Sequence, residues 1–244
     1  MSRFNPALDI RCMPLQASSI VKTKNAPDIA KVAAILTDRY GIYPDESAFP
    51  VLDHLVWFLL STRTTAQNCE AAYLALRGAY ADWEIAAEAE PEYLGGLLRP
   101  AGLFRSRARN LLAALAAIRE RFGSTSLESL RSWSDGDCEA FLLSLPGVGL
   151  KVARCVLSFG LARDFFAVDA HIWRVTRRLG WHDFPGDAPC KSGADAIQAL
   201  FRGHSGLVSF HVNLIRLGRE FCPAGVPRCA SCPLSAFCKT SASV

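Results

Sequence analysis

The stretch Ser144-Leu145-Pro146-Gly147-Val148-Gly149-Leu150-Lys151-Val152-Ala153 joins two apolar stripes, and its reading decides the fold. Phe141, Leu142 and Leu145 precede the turn; Val152, Val156 and Phe159 follow it. Both sets have helical spacing. Gly147 and Gly149 permit positive φ and let a backbone approach a ligand closely. The second helix starts near Leu150, so its free N–H groups and positive dipole end face whatever lies beyond the turn. An anion such as a nucleic-acid phosphate suits that place. An ordinary helix–turn–helix corner reads the same way from the turn alone.

Lys151 bears on the choice. A cation in a first helical turn opposes the dipole by ~0.3–1 kcal/mol, so a compensating neighbour is expected. A phosphate supplies one. Alternatively, the dipole and partial burial disfavour the charged form, and the free amine becomes a nucleophile that forms a Schiff base with electrophilic carbon. Downstream stands Ala167-Val168-Asp169-Ala170-His171-Ile172-Trp173-Arg174. Asp169 precedes the stripe Ile172, Val175, Leu179 and reads as an N-cap. Near Lys151 its carboxylate could also accept a proton or stabilise a cationic sugar. His171 reads as a proton carrier or as a structural helix histidine.

Working outward, the periodicity stays helical. Ile29, Val32, Ala33 and Leu36 form a stripe just after Pro27, which takes a helix-starting position. Further stripes are Leu52, Leu55, Val56, Leu59 and Leu60; the Ala/Leu run Leu111–Ile118; and Val208, Val212, Ile215 and Leu217. Gly and Pro punctuate them at Gly41–Pro44, Gly95–Gly102, Pro146–Gly149 and Pro185–Pro189. Outside Phe165–Val168 no segment suggests a strand. The class is all-α with about ten helices, and the first ~20 residues read as a loose arm.

The 244 residues are 50% hydrophobic and 20% charged, which excludes a disordered chain. The formal charge of +4 permits nucleic-acid binding without requiring it. Four arginines and no acid lie between Arg99 and Arg109, while Asp82 to Glu92 holds five acids and no base. The longest apolar run spans eight residues, Leu111 to Ile118, against the ~20 that a bilayer needs. Arg3, Asp9 and Arg11 interrupt any leader. A cytoplasmic, nucleoid-associated protein without a membrane partner is expected. Cys222, Cys229, Cys232 and Cys238 read C-x6-C-x2-C-x5-C, a strong metal signature. Four-cysteine zinc and an iron–sulfur cubane both fit that spacing. The metal would supply folding energy to a tail with little core. Cys12, Cys69, Cys138, Cys155 and Cys190 read as small core residues.

Together Leu145–Lys151, Val168–Arg174 and the four cysteines resemble the helix-hairpin-helix DNA glycosylase superfamily, in its endonuclease III-like branch. Weaker similarity runs through Leu59-Leu60-Ser61-Thr62, Gly102-Leu103-Phe104 and Leu217-Gly218-Arg219. The resemblance implies two helical domains with a cleft between them: a six-helix barrel with the hairpin at 44–163, and an iron–sulfur domain from 1–43 plus 164–244. It implies a 4Fe–4S cluster rather than zinc on the four cysteines, and a monomer acting on double-stranded DNA with a damaged base or abasic site. It assigns Lys151 as the nucleophile at C1′ and Asp169 to the proton transfers. The turn Leu145, Gly147, Val148, Gly149 would hold a backbone phosphate. Leu103 would fill the place of an extruded base, and the surrounding arginines, Arg105 and Arg107 among them, would meet flanking phosphates. His171 joins the DNA-facing set.

Relatives lacking a lysine at this position only remove the base, and most carry a further C-terminal domain; this chain ends at Val244. Three departures stand out. Arg63 and Ala66 replace an amide and an acid. Leu143 replaces a glutamate. The Pro223–Arg228 loop has one base where relatives have several. Arg63 could enter the duplex beside Leu103. The expected activity is a bifunctional glycosylase and lyase for oxidised pyrimidines. The alternatives are an abasic-site lyase with weak base excision, a non-catalytic iron–sulfur DNA-binding protein and a zinc-bound interaction module.

Overall fold

The computed structural model describes residues 26–241. The loose arm and a core Cys12, both expected near the N-terminus, lie outside the described residues. Among those described, every regular element is helical: α1 (Ile29–Tyr40), α2 (Val51–Ser61), α3 (Ala66–Ala79), α4 (Trp83–Ala87), α5 (Pro91–Leu97), α6 (Phe104–Phe122), α7 (Asp135–Ser144), α8 (Leu150–Cys155), α9 (Ala170–Leu179), α10 (Lys191–Phe201) and α11 (Leu207–Glu220). Phe165–Val168 forms no strand. No described helix is long and apolar enough to cross a membrane.

The chain divides into two compact units, Asp45–Ala167 and the flanking segments up to Pro44 and from Val168. In the first, α2 is the central helix. Seven of its residues, from Val51 to Leu60, are buried, so it is apolar on nearly every side. Its N-terminus has no side-chain cap of its own; instead the Val51 N–H donates to Glu128 Oε1 at 2.8 Å. Asp53 accepts from Tyr73 Oη and Trp83 Nε1, joining α2 to α3 and α4. Beyond Cys155, α8 continues as one π turn, Val156–Gly160. There the backbone passes against α2: a Cβ on Gly160 would stand 2.9 Å from His54 Cδ2.

In the second unit, Trp181, Phe201 and Phe210 stack edge-on at centroid distances of 5.4 and 5.3 Å. Trp181 Nε1 donates to Pro27 O, and buried Asn213 donates to Gly41 O, so the N-terminal helix α1 is bound to the C-terminal segments.

Several local expectations change. Pro27 precedes the true N-cap, Asp28, whose side chain accepts from Lys31 N. Gly95 lies within α5, packed 3.6 Å from Phe104 Cδ2 as measured from an added Cβ, not in a turn. The buried face of α11 is Leu207, Phe210, Leu214 and Leu217; Val208, Val212 and Ile215 flank it. Cys69, Cys138 and Cys155 are core residues as expected, whereas Cys190 is only half-buried, at the N-cap of α10.

Candidate active site

The hairpin is α7, the turn after it and α8. Ser134 caps α7 by accepting from Asp137 N at 3.2 Å. The turn closes where Val148 N donates to Leu145 O at 3.1 Å. Leu145 is 3% exposed and Val148 8%, so their side chains anchor the turn from below. Any part these two residues take in a phosphate contact is through the backbone of the turn. Gly147 has φ +81, and an added Cβ would meet Asn110 of α6 at 2.8 Å. Gly149, with φ −99, is the exposed N-cap of α8 and provides no side-chain bond, so the first N–H groups of that helix lack a side-chain cap. Buried Arg154 of α8 pairs with Glu139 of α7, Nε to Oε1 at 2.8 Å, and holds the two helices at this spacing.

Lys151 is the second residue of α8 and half-buried. Its Nζ donates to Ser61 Oγ at 3.3 Å, and Ser61 Oγ donates to Phe58 O at 3.0 Å. The serine proton is therefore committed to the backbone, and its lone pair faces the amine. The ring of Phe58 lies 5.1 Å from Nζ and packs edge-on against Phe159 of the π turn. No carboxylate of this unit pairs with Lys151. Buried Cys69 lies close enough to feel its charge, yet burial pushes that thiol up to about 11 and keeps it protonated. Ser61, which the sequence marks only as part of Leu59-Leu60-Ser61-Thr62 and without a role, lies 90 residues from Lys151.

Arg63 and Leu103 are both exposed, and both have positive φ, 52 and 49. Leu103, 59% exposed, is the N-cap of α6. Arg99 and Arg105 are exposed and lie over the Phe104 ring, each 5.6 Å from its centroid. Arg109 is exposed as well. Arg107 is not: it is 9% exposed and bonded throughout to protein oxygens. Its expected phosphate contact is corrected accordingly.

In the other unit Asp169 caps α9, its Oδ1 accepting from Ile172 N at 2.8 Å. One carboxylate oxygen is thus used in the cap. His171 Nδ1 lies 3.0 Å from Arg174 Nη2. Burial first, with the charges of Arg174 and Arg219 and against the opposing pull of Asp169, holds this histidine below its ordinary value.

The cysteine segment has two short 3-10 turns, Cys229–Ser231 and Ser235–Phe237, and one fully buried apolar side chain, Leu234. Burial raises the Cys232 thiol, and its proximity to Cys222, Cys238 and Cys229 raises it further. Arg178 donates to Cys222 Sγ at 3.1 Å, Cys238 Sγ donates to Arg178 O at 3.3 Å, and Arg174 Nε donates to Cys222 O at 2.7 Å. By residue type, Cys222, Cys229, Cys232 and Cys238 are soft donors of the kind a thiolate-bound metal group uses. Among the described residues, no three His, Cys, Asp or Glu side chains stand as ligands of one metal ion.

A family model described as HhH-GPD superfamily base excision DNA repair protein matches residues 56–189, which include the hairpin, Lys151 and Asp169. A DNA glycosylase-type protein of Arabidopsis thaliana is 34% identical over 131 residues, 54% of this chain and 45% of the plant protein. The chain thus spans less than half of that relative. Endonuclease III of Thermotoga maritima is 29% identical over 187 residues, 76% of this chain and 81% of its own length. The solved structure of a non-covalent endonuclease III–DNA complex matches with TM-score 0.72 at 24% identity, over 88% of this chain and 95% of that one. That of a thermostable thymine-DNA glycosylase matches with TM-score 0.71 at 21% identity, over 88% and 96%. These two likenesses show the fold.

Proposed function

The chain belongs to the HhH-GPD superfamily of base excision DNA repair proteins, and from that membership we propose a bifunctional DNA glycosylase and abasic-site lyase that removes oxidised pyrimidines from double-stranded DNA. The observation that carries the reading is Lys151: a half-buried amine on the hairpin, held by Ser61 and paired with no carboxylate of its own unit.

The chemistry follows from the residues. The damaged nucleotide leaves the stack, since its glycosidic carbon is out of reach within the duplex. The Lys151 amine gives up a proton as its nitrogen forms a bond to C1′, the bond from C1′ to the base breaks, and the electron pair leaves with the base. The sugar ring opens to a cationic imine, the Schiff base. Loss of a proton from C2′ then sends electrons to C3′, and the bond from C3′ to its phosphate oxygen breaks, nicking the strand. Asp169 takes and returns the protons; the cap it also makes fixes its orientation. The backbone of Gly147, Val148 and Gly149 holds a phosphate of the duplex, and the exposed Arg99, Arg105 and Arg109 supply positive charge around Leu103.

Cys222, Cys229, Cys232 and Cys238 would hold a 4Fe–4S cluster. When bound, that group supplies four covalent ties to a segment with almost no core, so its binding energy is folding energy. Arg178 and Arg174 donate to the Cys222 sulfur and to carbonyl oxygens of that segment.

Borohydride trapping tests the reading. Wild-type protein should crosslink to an abasic duplex and Lys151→Ala should not; equal trapping by both removes Lys151 as the nucleophile. A second duplex carrying thymine glycol separates base excision from lyase action alone. Exposed Arg63 and Leu143, placed where relatives have uncharged-amide and acidic side chains, favour the narrower lyase reading if only the abasic duplex is cut.

A further inference from the structure

Arg107 is a buried cation, and among the described residues no carboxylate pairs with it. Such a group persists only where other acceptors replace water. Here its Nε donates to Gly102 O at 2.7 Å and Nη2 to Ala101 O at 3.3 Å. Nη1 donates to Leu59 O and, at 3.2 Å, to Thr62 Oγ1, and Nη2 also donates to Thr62 O. The oxygens of Leu59 and Thr62 belong to the C-terminal end of α2, where carbonyls lack helical partners and a cation is favoured. Those of Ala101 and Gly102 belong to the turn before α6. One planar fork therefore ties the Leu59–Thr62 segment, whose Thr62 lies 45 residues before Arg107, to the Ala101–Gly102 turn.

The residues immediately after these two grips are Arg63 and Leu103. They are two of the three described non-glycine residues with positive φ. That conformation costs about 1–2 kcal/mol for an L-residue, and it persists only where the surroundings over-determine it. Both residues are exposed.

We propose that Arg107 is a positioning residue that fixes the Thr62–Arg63 and Gly102–Leu103 turns as one unit, so that Arg63 and Leu103 enter a duplex together where a base has been extruded. The inference rests on the DNA-repair reading above. Two side chains on independent loops would each lose freedom on insertion; a shared strut pre-organises both. Leu103 fills the gap with apolar volume, and the flat, donor-only guanidinium of Arg63 stacks on or bonds to the base left without a partner. Lysine has no fork to span both turns.

The test uses the full chain and a duplex with a tetrahydrofuran abasic analogue opposite 2-aminopurine, whose fluorescence rises on unstacking. Arg63→Ala and Leu103→Ala are each expected to weaken binding about tenfold, and the double variant no more than about thirtyfold, because coupled residues are non-additive. Arg107→Lys should keep the wild-type melting temperature within a few degrees, since a cation still meets the α2 carbonyls. It should nevertheless lose the fluorescence rise as fully as Leu103→Ala does. An additive double variant, or a folded Arg107→Lys with an intact rise, overturns the proposal. If Arg107→Lys fails to fold, the Arg63 and Leu103 pair decides alone. Wild-type protein that neither binds this duplex nor raises its fluorescence removes the repair reading and the inference with it; wild type that does both, with an additive pair, removes only the positioning role.

Discussion

Replacing Gly147 and Gly149 with Ala, one at a time, separates what the hairpin turn does for folding from what it does for DNA. Gly147 has φ +81, and an added Cβ would stand 2.8 Å from Asn110 Nδ2 and 2.9 Å from Asn110 Cβ. The amide end can swing away, but Cβ is fixed to α6, so the turn itself must move. The left-handed backbone costs about 1–2 kcal/mol and the overpacking about 1–3. A loss of about 2–5 kcal/mol lowers the melting temperature of a chain this size by roughly 4–20 °C. Gly149 has φ −99 and ψ 175, open to any residue, and nothing within 4 Å of an added Cβ. Its substitution should cost less than about 0.5 kcal/mol. Its methyl group, however, would stand where a phosphate approaches the backbone. Binding of an abasic duplex should weaken about tenfold, and the slope of log K against log salt should fall by about one. Calorimetry and fluorescence anisotropy read the two effects separately. Equal thermal losses in both variants, or unchanged DNA affinity in Gly149→Ala, would refute the reasoning.

Asp169→Asn should leave the melting temperature nearly unchanged, because Asn caps as well as Asp, while strand nicking slows; Asp169→Ala should lose about 1 kcal/mol in addition. A full nicking rate in the Asn variant excludes Asp169 from the proton transfers. Burial first holds His182 down at about 4, against ~6.5 unfolded. The unfolded chain thus binds the extra proton first as pH falls. The contribution of His182 is complete above about pH 6.5 and falls away toward pH 4, by about 2 kcal/mol at pH 5. Urea melts at pH 7 and pH 5 should show His182→Gln losing about that much less than wild type; equal losses would contradict the buried neutral ring. Cys232→Ala should lower the iron content and make 222–238 the first segment cut by protease, whereas full iron and an unchanged melting point would exclude it as a ligand.

The helical class was legible because apolar spacing is strong where helices are central. In α2 seven of eleven residues are buried, and the stripe stands out at once. α3 was not legible: its buried residues are Cys69, Ala72 and Leu76, two of them small, too little apolar volume to mark a face. α10 has the same difficulty, with Gly193, Ala194 and Gln198 among its buried positions. In α11 the helix was found and its face misplaced. His211 and Asn213 are buried there while Val208, Val212 and Ile215 flank the core, so hydropathy alone selects the neighbouring stripe.

The site divides along a similar line. Lys151 stands out in the sequence because a cation at a helix start is locally anomalous, and Asp169 because an acid before an apolar stripe marks an N-cap, as it does in the structure. The bond from Lys151 to Ser61 was not legible, because the two are 90 residues apart and serine is common near helix ends. Arg107 is the more instructive case, since its signal was present. The buried positions of α6 are Arg107, Ala108, Leu111, Ala114, Leu115 and Ile118. Counting back four from Leu111 lands on Arg107, whereas Arg105 and Arg109 fall off that stripe. Composition groups the arginines of this run as one basic patch; helical phase assigns one of them to the interior. A buried arginine must find acceptors, and the nearest unpartnered ones are the carbonyls ending α2 and the turn before α6. The strut beneath Arg63 and Leu103 therefore follows from phase plus hydrogen-bond satisfaction, while charge counting alone points to the wrong partner.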